Sequence, residues 1–310
     1  MSPLKKQNVG HSIIEQLHHC AKKNNEDFSF LLFRYGVERF LYRLSMSPYA
    51  NKFVLKGAHL FLLWKGHNYR VTKDADLLGF GSPDPNHVAG IFREICQAVP
   101  SDIDGVEFKS DSVRSVPIRE NQEYEGIRVT LVGVLHHARI HLQIDIGFGD
   151  AITPDPEKMV FPTLLSLPAP HVLAYPRYTV VSEKFEAMIR LGIANSRMKD
   201  FYDIWLLSTL FGFDGDVLGE AIHNTFHRRS TPLPLGLPMA FTEEFRRDPQ
   251  KQTQWRAFVR KSKPESVPES LDVTIAQVRA FVMPVLDAVR EQTRSGLVWP
   301  TSGPWHTKDT

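Results

Sequence analysis

Apolar residues recur every three or four positions through the first 50 residues of the chain. This spacing predicts two or three helices over 11–50. The next apolar run, FVLKG at 53–57, predicts a short buried strand that ends at Gly57. The run AHLFLLW directly after it predicts a further helix. The chain therefore begins with helices, followed by a strand, a glycine turn and a helix.

Extended segments are prominent in the next part of the chain. Residues 69–80 have extended character, and 88–99 have the pattern of an amphipathic helix. Two extended runs follow at 126–135 and 139–146, separated by HHA, which predicts a hairpin. The second run alternates, with one polar set (Arg139, His141, Gln143, Asp145) and one apolar set (Ile140, Leu142, Ile144, Ile146). One face of this strand should pack in a core, and the other should be open.

Prolines divide the sequence. Six of them (Pro154, Pro156, Pro162, Pro168, Pro170, Pro176) fall between 154 and 176, which indicates a connecting segment. Helical patterns follow at 179–194, 200–212, 215–227 and 272–293. The last stretch has no period and is expected to be loose. The sequence thus predicts an α+β protein, with a first domain at 1–170, a helical domain at 171–293 and a loose tail at 294–310.

Composition limits the class of protein. A length of 310 residues suits two domains, and the net charge of +2 gives no general attraction to nucleic acid. The two cysteines, Cys20 and Cys96, have no metal-ligand spacing near them, which suits a reducing compartment. No apolar run reaches the roughly 20 residues of a membrane span, and the first residues lack a leader pattern. We therefore expect a cytoplasmic protein without a membrane partner.

Two aspartates two residues apart are the first candidate for chemistry. In an extended segment Asp74 and Asp76 share a face, with their carboxylates about 7 Å apart. Such a pair suits Mg²⁺ or Mn²⁺, which assist phosphoryl and nucleotidyl transfer, but it is also common on the solvated end of an ordinary strand. Asp145, on the open face of the alternating strand, is a third candidate metal ligand unless it is one more solvated residue.

The turn before the first apolar helix is a candidate phosphate site. Glycine lets the backbone of Lys56-Gly57-Ala58 approach a phosphate, and the following helix directs free N–H groups at it. An ordinary tight turn would have the same sequence. Arg70, in the segment that leads to the aspartates, is counted with the turn as a candidate for nucleotide binding.

Three charged residues of the helical half are further candidates. Lys184 falls within the apolar arc of its predicted helix, where its stem could simply extend to solvent or its ammonium could meet a triphosphate. Asp200 and Asp203 share a face with Leu207 and Leu210 on the next helix, and a buried carboxylate needs a partner. A position at the helix N-terminus explains Asp200 equally well, but Asp203 lies a turn further in.

Five ordered motifs resemble the AbiEii/AbiGii family of nucleotidyltransferase toxins. They are LKGAHLFLLW, YRVTKDADL, IDIGFGD, SEKFEAMIRLG and SRMKDFYDIW, and the resemblance covers about residues 30 to 210. It implies a nucleotidyltransferase fold of the polymerase-beta type, with a mixed sheet and flanking helices, followed by a helical domain.

The resemblance also implies roles for the candidate residues. Gly57 and its neighbours would form the phosphate turn, Asp74 and Asp76 would hold the metal, and Lys184 would contact the triphosphate. Asp203, with Asp200, would complete the active site. The chain departs from the family at Ala58, where a second glycine or a serine is usual. Any role of a side-chain hydroxyl at this position is therefore absent.

The implied activity is the Mg²⁺-dependent transfer of a nucleoside monophosphate from a nucleoside triphosphate (NTP) to an acceptor. The resemblance further implies a toxin paired with an antitoxin encoded nearby, and an RNA acceptor, the 3′ end of tRNA. Basic stretches at 227–229, 246–247 and 255–263 could hold RNA or be solvated surface. An antibiotic-modifying nucleotidyltransferase and an inactive binding module are the alternatives.

Thr72 carries a hypothesis of its own. By the same two-residue alternation it shares the face of Asp74 and Asp76. A phosphate on Thr72 would add about two negative charges beside the metal carboxylates, which should switch the enzyme off.

Overall fold

The computed structural model describes residues 3–67, 69–120 and 124–308 and forms two compact units. The first unit comprises Met1–Gly149 with Glu157–Ala174, and the second comprises Asp150–Pro156 with Tyr175–Thr310. The described part contains a seven-stranded mixed sheet and ten helices, which confirms the α+β prediction.

The chain passes between the units three times, where the sequence predicted one boundary near 170. The difference arises in the proline-rich segment. This segment was expected to be a connection only, but it contributes two short strands to the first unit's sheet. Backbone pairing with that sheet keeps residues 157–174 in the first unit.

The first unit combines four helices with the seven-stranded sheet. The helices are α1 (Pro3–Asn24), α2 (Phe28–Met46), α3 (His59–Lys65) and α4 (Pro85–Gln97). The strands are β1 (Phe53–Lys56), β2 (Ala75–Gly79), β3 (Val106–Glu120), β4 (Tyr124–Leu135), β5 (Ala138–Phe148), β6 (Glu157–Val160) and β7 (His171–Ala174). The predicted hairpin is therefore confirmed as β4 and β5, joined by a two-residue turn at His136 and His137.

The strand order in the sheet is β3-β4-β5-β2-β1-β7-β6. β2 runs parallel to β5 and antiparallel to β1, while β7 runs parallel to β1. Asp76 lies opposite Asp145 on one side and opposite Lys56 on the other. Burial along β5 alternates as predicted, with Ile140, Leu142, Ile144 and Ile146 buried. The register places three charged residues in one row across three strands.

Helix α2 is buried along most of its length and carries charges into the core of the first unit. Arg43 forms a buried ion pair with Asp104 at 2.7 Å. Glu38, which is fully buried, contacts Arg39 at 2.8 Å and accepts a hydrogen bond from the backbone N–H of Leu164 at 2.8 Å. Because buried charges are costly unless paired, these contacts are needed for α2 to pack at all.

The second unit contains six helices and a three-stranded antiparallel sheet in the order β10-β9-β8. The helices are α5 (Arg177–Leu191), α6 (Met198–Leu210), α7 (Gly215–Arg228), α8 (Glu243–Arg247), α9 (Pro249–Ser262) and α10 (Leu271–Arg290). The strands are β8 (Phe213–Asp214), β9 (Leu297–Trp299) and β10 (His306–Thr307).

The prediction of a loose tail at 294–310 is wrong for its described residues, because 297–299 and 306–307 are strands of this sheet. Trp299 is 2% exposed, and its indole N–H donates to the carbonyl of Ser208 at 2.8 Å. Its ring lies 5.0 Å from that of Phe281 and 5.3 Å from that of Trp305. Strands of two or three residues are too short to show a period, although the tryptophans could have indicated a packed segment.

No helix in the described ranges is long and apolar enough to cross a membrane. The two cysteines are free thiols; Cys96 is buried and Cys20 is partly exposed.

Candidate active site

Three aspartates of the first unit converge at one point of the sheet. Asp76 lies in β2, Asp74 directly precedes that strand, and Asp145 lies opposite Asp76 on β5. One carboxylate oxygen from each lies within 4.8 Å of the other two, and all three residues are half-buried. Parallel pairing of β2 with β5 thus brings together the three residues that the sequence proposed as metal ligands.

The geometry of this cluster fits a small divalent cation. Oxygen ligands lie about 2.1 Å from Mg²⁺, so opposite ligands are about 4.2 Å apart. The separation of up to 4.8 Å is close to that value. A donor set of carboxylate oxygens suits hard cations such as Mg²⁺ or Mn²⁺. Within the described ranges, no other group of three acidic, histidine or cysteine side chains could hold a metal in this way.

Gly57 shapes the cluster directly. Its φ of +74° lies in the left-handed region, and a Cβ at this position would overlap the carboxylate of Asp76. Lys56, the residue before it, lies opposite Asp76 in the β1–β2 ladder. Ala58, which follows, is buried and begins α3 without a side-chain cap. The glycine is therefore needed to leave room for Asp76, which reasoning from the sequence had not anticipated.

Thr72 positions the other aspartate of the pair. Its hydroxyl donates to Oδ1 of Asp74 at 2.5 Å, and the residue is only 7% exposed. Residues 71–74 are outside β2, so this contact arises from a bend and not from strand alternation. Phosphorylation of Thr72 remains a prediction, and it would require this buried, bonded hydroxyl to become accessible.

Arg128, which sequence reasoning overlooked, engages the third carboxylate. Its Nε donates to Oδ1 of Asp145 at 2.8 Å, and its Nη2 donates to Oδ2 at 2.8 Å. The hydrogen bond to Asp145 raises the pKa of Arg128 above its ordinary value, and the charge of Asp74 adds to the effect. A signal was available in the sequence, because a hairpin that turns at His136 and His137 pairs position 128 with 145.

His59 and Arg70 are two further polar residues on the segments that join the turn to the aspartates. His59 is buried, and burial lowers its pKa to about 4 although the charge of Asp74 opposes this. The imidazole is therefore neutral at pH 7. Arg70 is half-buried in the segment between α3 and β2, and its positive charge also lowers the pKa of His59.

The three candidates of the second unit meet one another. The ammonium of Lys184 lies 2.8 Å from Oδ1 of Asp200 and 2.9 Å from Oδ2 of Asp203. Asp200 also contacts Arg197 at 2.6 Å. Burial opposes ionisation of Asp200, but Lys184 and Arg197 hold the pKa of this carboxyl well below its ordinary value. The two aspartates thus have cationic partners, and α5 and α6 are joined by a buried ionic cluster.

A second ionic cluster forms around Arg229, which the sequence had grouped with a possible RNA-binding stretch. Its guanidinium contacts Asp150 at 2.8 Å, Glu186 at 2.8 Å and Glu183 at 3.5 Å. Burial disfavours the charge, but Glu183 and Asp150 outweigh burial and raise the pKa of Arg229. Glu186 is fully buried. Arg229 therefore stabilises the second unit and is not an exposed contact for RNA.

Helix α9 presents several exposed basic residues. Its sequence contains no acidic residue. One side is anchored by buried Trp255 and by Lys251, whose ammonium donates to the carbonyl of Asn195 at 3.0 Å. Four basic residues in the second half of the helix and at its C-cap are exposed, namely Arg256, Arg260, Lys261 and Lys263. The predicted basic stretch at 255–263 is thus divided into an anchoring side and a charged surface.

Comparison with known proteins adds a family to this geometry. Two solved structures are similar to the chain, each at 12% identity and a TM-score of 0.45. One is a Helicobacter pylori protein described as a candidate nucleotidyltransferase, with 83% of this chain and 94% of that chain covered. The other is JHP933 from Helicobacter pylori, with 82% and 90% covered. No curated protein matches the sequence.

A family model gives the assignment. The model described as "Nucleotidyl transferase AbiEii toxin, Type IV TA system" matches residues 39–277, which is most of the chain. This range includes the three converging aspartates and the Lys184 cluster. The chain therefore belongs to the AbiEii family of nucleotidyltransferase toxins.

Proposed function

We propose that this toxin transfers a nucleoside monophosphate from an NTP to the 3′ end of a tRNA, with Mg²⁺ or Mn²⁺ held by Asp74, Asp76 and Asp145. The convergence of three carboxylates within 4.8 Å, in a chain of the AbiEii family, carries the proposal. In the reaction the 3′-hydroxyl oxygen bonds to the α-phosphorus, the bond from that phosphorus to the β-phosphate oxygen breaks, and pyrophosphate leaves. The hydroxyl proton is released.

Each proposed site residue of the first unit has a distinct role in this proposal. A bound divalent ion would neutralise charge on the phosphates and polarise them. Asp74 and Asp76 provide its ligands, with Asp74 oriented by Thr72 and Asp76 accommodated by Gly57. Lys56, the backbone at Ala58 and Arg70 are proposed to hold the nucleotide, because cations and backbone N–H groups are the usual partners of phosphate.

Lys184, Asp200 and Asp203 are proposed to act together. An ammonium that faces two carboxylates has a fixed rotamer, because its hydrogen bonds have defined directions. Asp200 and Asp203 would position Lys184, and Lys184 would bind the triphosphate. This assignment separates one residue that contacts the nucleotide from two that orient it.

The RNA acceptor is supported by the exposed charge on α9. Four basic residues in the second half of one helix and at its C-cap, without an acidic neighbour on that helix, form a surface that a phosphate backbone would bind. The family implies an antitoxin partner. The cytoplasm is the expected location, because it is where NTP and tRNA occur together.

The direct test is transfer of labelled nucleotide. Purified protein is incubated with each labelled NTP, Mg²⁺ and total RNA, and products are separated by size. We expect one NTP to label RNA of tRNA length, and we expect Asp74→Asn and Asp76→Asn to abolish the label. Asp111→Asn, an exposed aspartate on β3, is the matched control and should label normally.

The same assay separates the alternatives. Label on an aminoglycoside in place of RNA would identify an antibiotic-modifying enzyme. Absence of label with every NTP, together with growth arrest by the Asp74→Asn protein equal to that by the wild type, would indicate an inactive binding module. Either result would refute the proposal.

A further inference from the structure

The ion pair between Arg128 and Asp145 uses both oxygens of the third carboxylate. Arg128 on β4 lies directly opposite Asp145 on β5, and the two hydrogen bonds are each 2.8 Å long. Paired N–H donors in this fork arrangement match a carboxylate well and are among the stronger ionic contacts in proteins. Asp145 therefore has a cationic partner that is part of the same sheet.

A third residue, Gln143, also accepts hydrogen bonds from the guanidinium of Arg128. Gln143 precedes Asp145 by two positions on the same face of β5. With its amide oxygen turned toward Arg128, it accepts from Nε at 3.2 Å and from Nη2 at 3.3 Å. The guanidinium is thus bound by Asp145 and Gln143 from one strand. The contact therefore has a defined geometry and is not a chance approach of surface charges.

The side chain of Arg128 can move away from Asp145 and Gln143 without disturbing the core. Its side chain is 39% exposed, whereas that of Asp145 is 15% exposed. Departure would therefore move a partly hydrated group further into water, at a small cost in packing. Asp145 would stay in place because its strand is paired on both sides, to β4 and to β2.

Arg128 and a divalent cation compete for the same carboxylate. Each oxygen of Asp145 accepts one hydrogen bond from Arg128 and keeps a second lone pair. A divalent cation bound to that lone pair would lie close to the positively charged guanidinium, and the two positive charges repel each other. Arg128 therefore weakens the binding of a divalent cation at the third carboxylate.

We propose that Arg128 is a positioning residue that competes with a divalent cation for Asp145, so that the cation binds this third carboxylate tightly only when the guanidinium leaves. This inference rests on the proposed metal site but adds a property to it. The site then has a weakly binding state, in which Arg128 contacts Asp145, and a tightly binding state, in which Arg128 is released. Phosphate oxygens are alternative bidentate partners for arginine, so an NTP is the class of ligand expected to favour release.

The opposite role predicts different behaviour. If Arg128 only orients Asp145 for a metal that Asp145 already binds, loss of Arg128 should loosen the ligand and weaken metal binding. The two roles therefore differ in the sign of the effect on metal affinity, which can be measured without any transfer reaction.

The test is a titration of the full chain with Mn²⁺ in the absence of nucleotide. The concentration of free Mn²⁺ is measured from its electron paramagnetic resonance signal. Arg128→Gln should bind Mn²⁺ at least tenfold more tightly than the wild type. The double variant with Arg128→Gln and Asp145→Asn has the same local charge sum as the wild type and two available carboxylates, so it should bind within about threefold of it. Arg128→Lys keeps the charge but loses the fork, and should fall between wild type and Arg128→Gln.

Two controls make the outcome decisive. Arg139→Gln removes one positive charge from the same face of β5, about 20 Å along the strand, and should leave affinity unchanged. Asp74→Asn should abolish binding. Suppose that Asp74→Asn abolishes Mn²⁺ binding. If Arg128→Gln then binds Mn²⁺ no more tightly than the wild type, or the double variant binds it tenfold more weakly than the wild type, the inference about Arg128 is overturned and the proposed metal site stands. If Asp74→Asn binds Mn²⁺ like the wild type, both the inference about Arg128 and the proposed metal site are refuted. The nucleotide transfer assay is then a separate test of the proposed enzymatic activity.

Discussion

Replacement of Gly57 by alanine should disable the proposed metal site while the first unit stays folded. A Cβ at this position would overlap Oδ2 of Asp76 and lie 2.7 Å from its Cγ, where an ordinary contact begins at 3.4 Å, so the carboxylate must retreat by more than about 0.7 Å. The backbone of Asp76 is held by β1 and β5 on both sides, so the side chain has to move. A displacement of about 1 Å in a catalytic group can cost about 100-fold in rate.

The same substitution has a predictable effect on stability. An L-residue in the left-handed region costs about 1–2 kcal/mol, which lowers the melting temperature of a unit this size by about 2–8 °C. Initial rates of labelled transfer and thermal unfolding measure the two effects separately. Gly90→Ala is the control, because a Cβ there meets nothing within 4 Å on helix α4 and alanine favours a helix. Transfer by Gly57→Ala within threefold of wild type, with unchanged Mn²⁺ affinity, would refute the reasoning.

Four further predictions follow from the contacts described. Glu38→Gln tests a buried carboxyl whose pKa is raised from 4.5 to about 7, chiefly by burial. Because folded Glu38 keeps its proton in this range and the unfolded residue does not, its contribution lowers the free energy of unfolding by about 3 kcal/mol as pH rises from 4.5 to 7. Denaturant titrations should show the stability of Glu38→Gln relative to wild type rising over this range; a constant difference would contradict it. Arg229→Met should cost the second unit about 3–5 kcal/mol in denaturant titrations, because it removes the cation that contacts Asp150, Glu183 and Glu186, whereas exposed Arg260→Met should cost less than about 0.5 kcal/mol; equal effects would be contradictory. Glutamine at the four exposed basic residues of α9 should weaken RNA binding in a filter assay and reduce its dependence on salt, and unchanged binding would exclude that surface. Trp299→Ala should destabilise the second unit by about 3–5 kcal/mol in thermal unfolding, and wild-type stability would mean that β9 is dispensable.

Local sequence pattern was sufficient to predict the elements that carry the proposed metal ligands. The alternation in β5 and the two-residue turn before it determine which face Asp145 occupies, and the spacing of Asp74 and Asp76 places them close together. Their meeting also required β2 to pair with β5, which is a contact between distant parts of the chain. The motif resemblance implied a mixed sheet, but periodicity could not show which of its strands pair.

The features that were missed share a physical reason, since each depends on a partner remote in sequence. Strands β6 and β7 lie among prolines and are defined by pairing with each other and with β1. Arg229 appears as one of several surface charges until Asp150 and Glu186 are found around it. Gly57 appears as a phosphate turn, and only the position of Asp76 shows a second requirement for glycine.

The pairing of remote strands also determines the order in which the protein can fold as it is synthesised. Strand β1 is made early but lacks its parallel neighbour until residue 174 has left the ribosome. In the second unit β8 waits for β9, and Trp299 reaches its place against Phe281 more than eighty residues after β8 has been made. A nascent chain therefore holds both sheets incomplete for most of its synthesis. Translation that stops before residue 297 would leave the aromatic core of the second unit uncovered, and such a chain would be a substrate for chaperones and proteases.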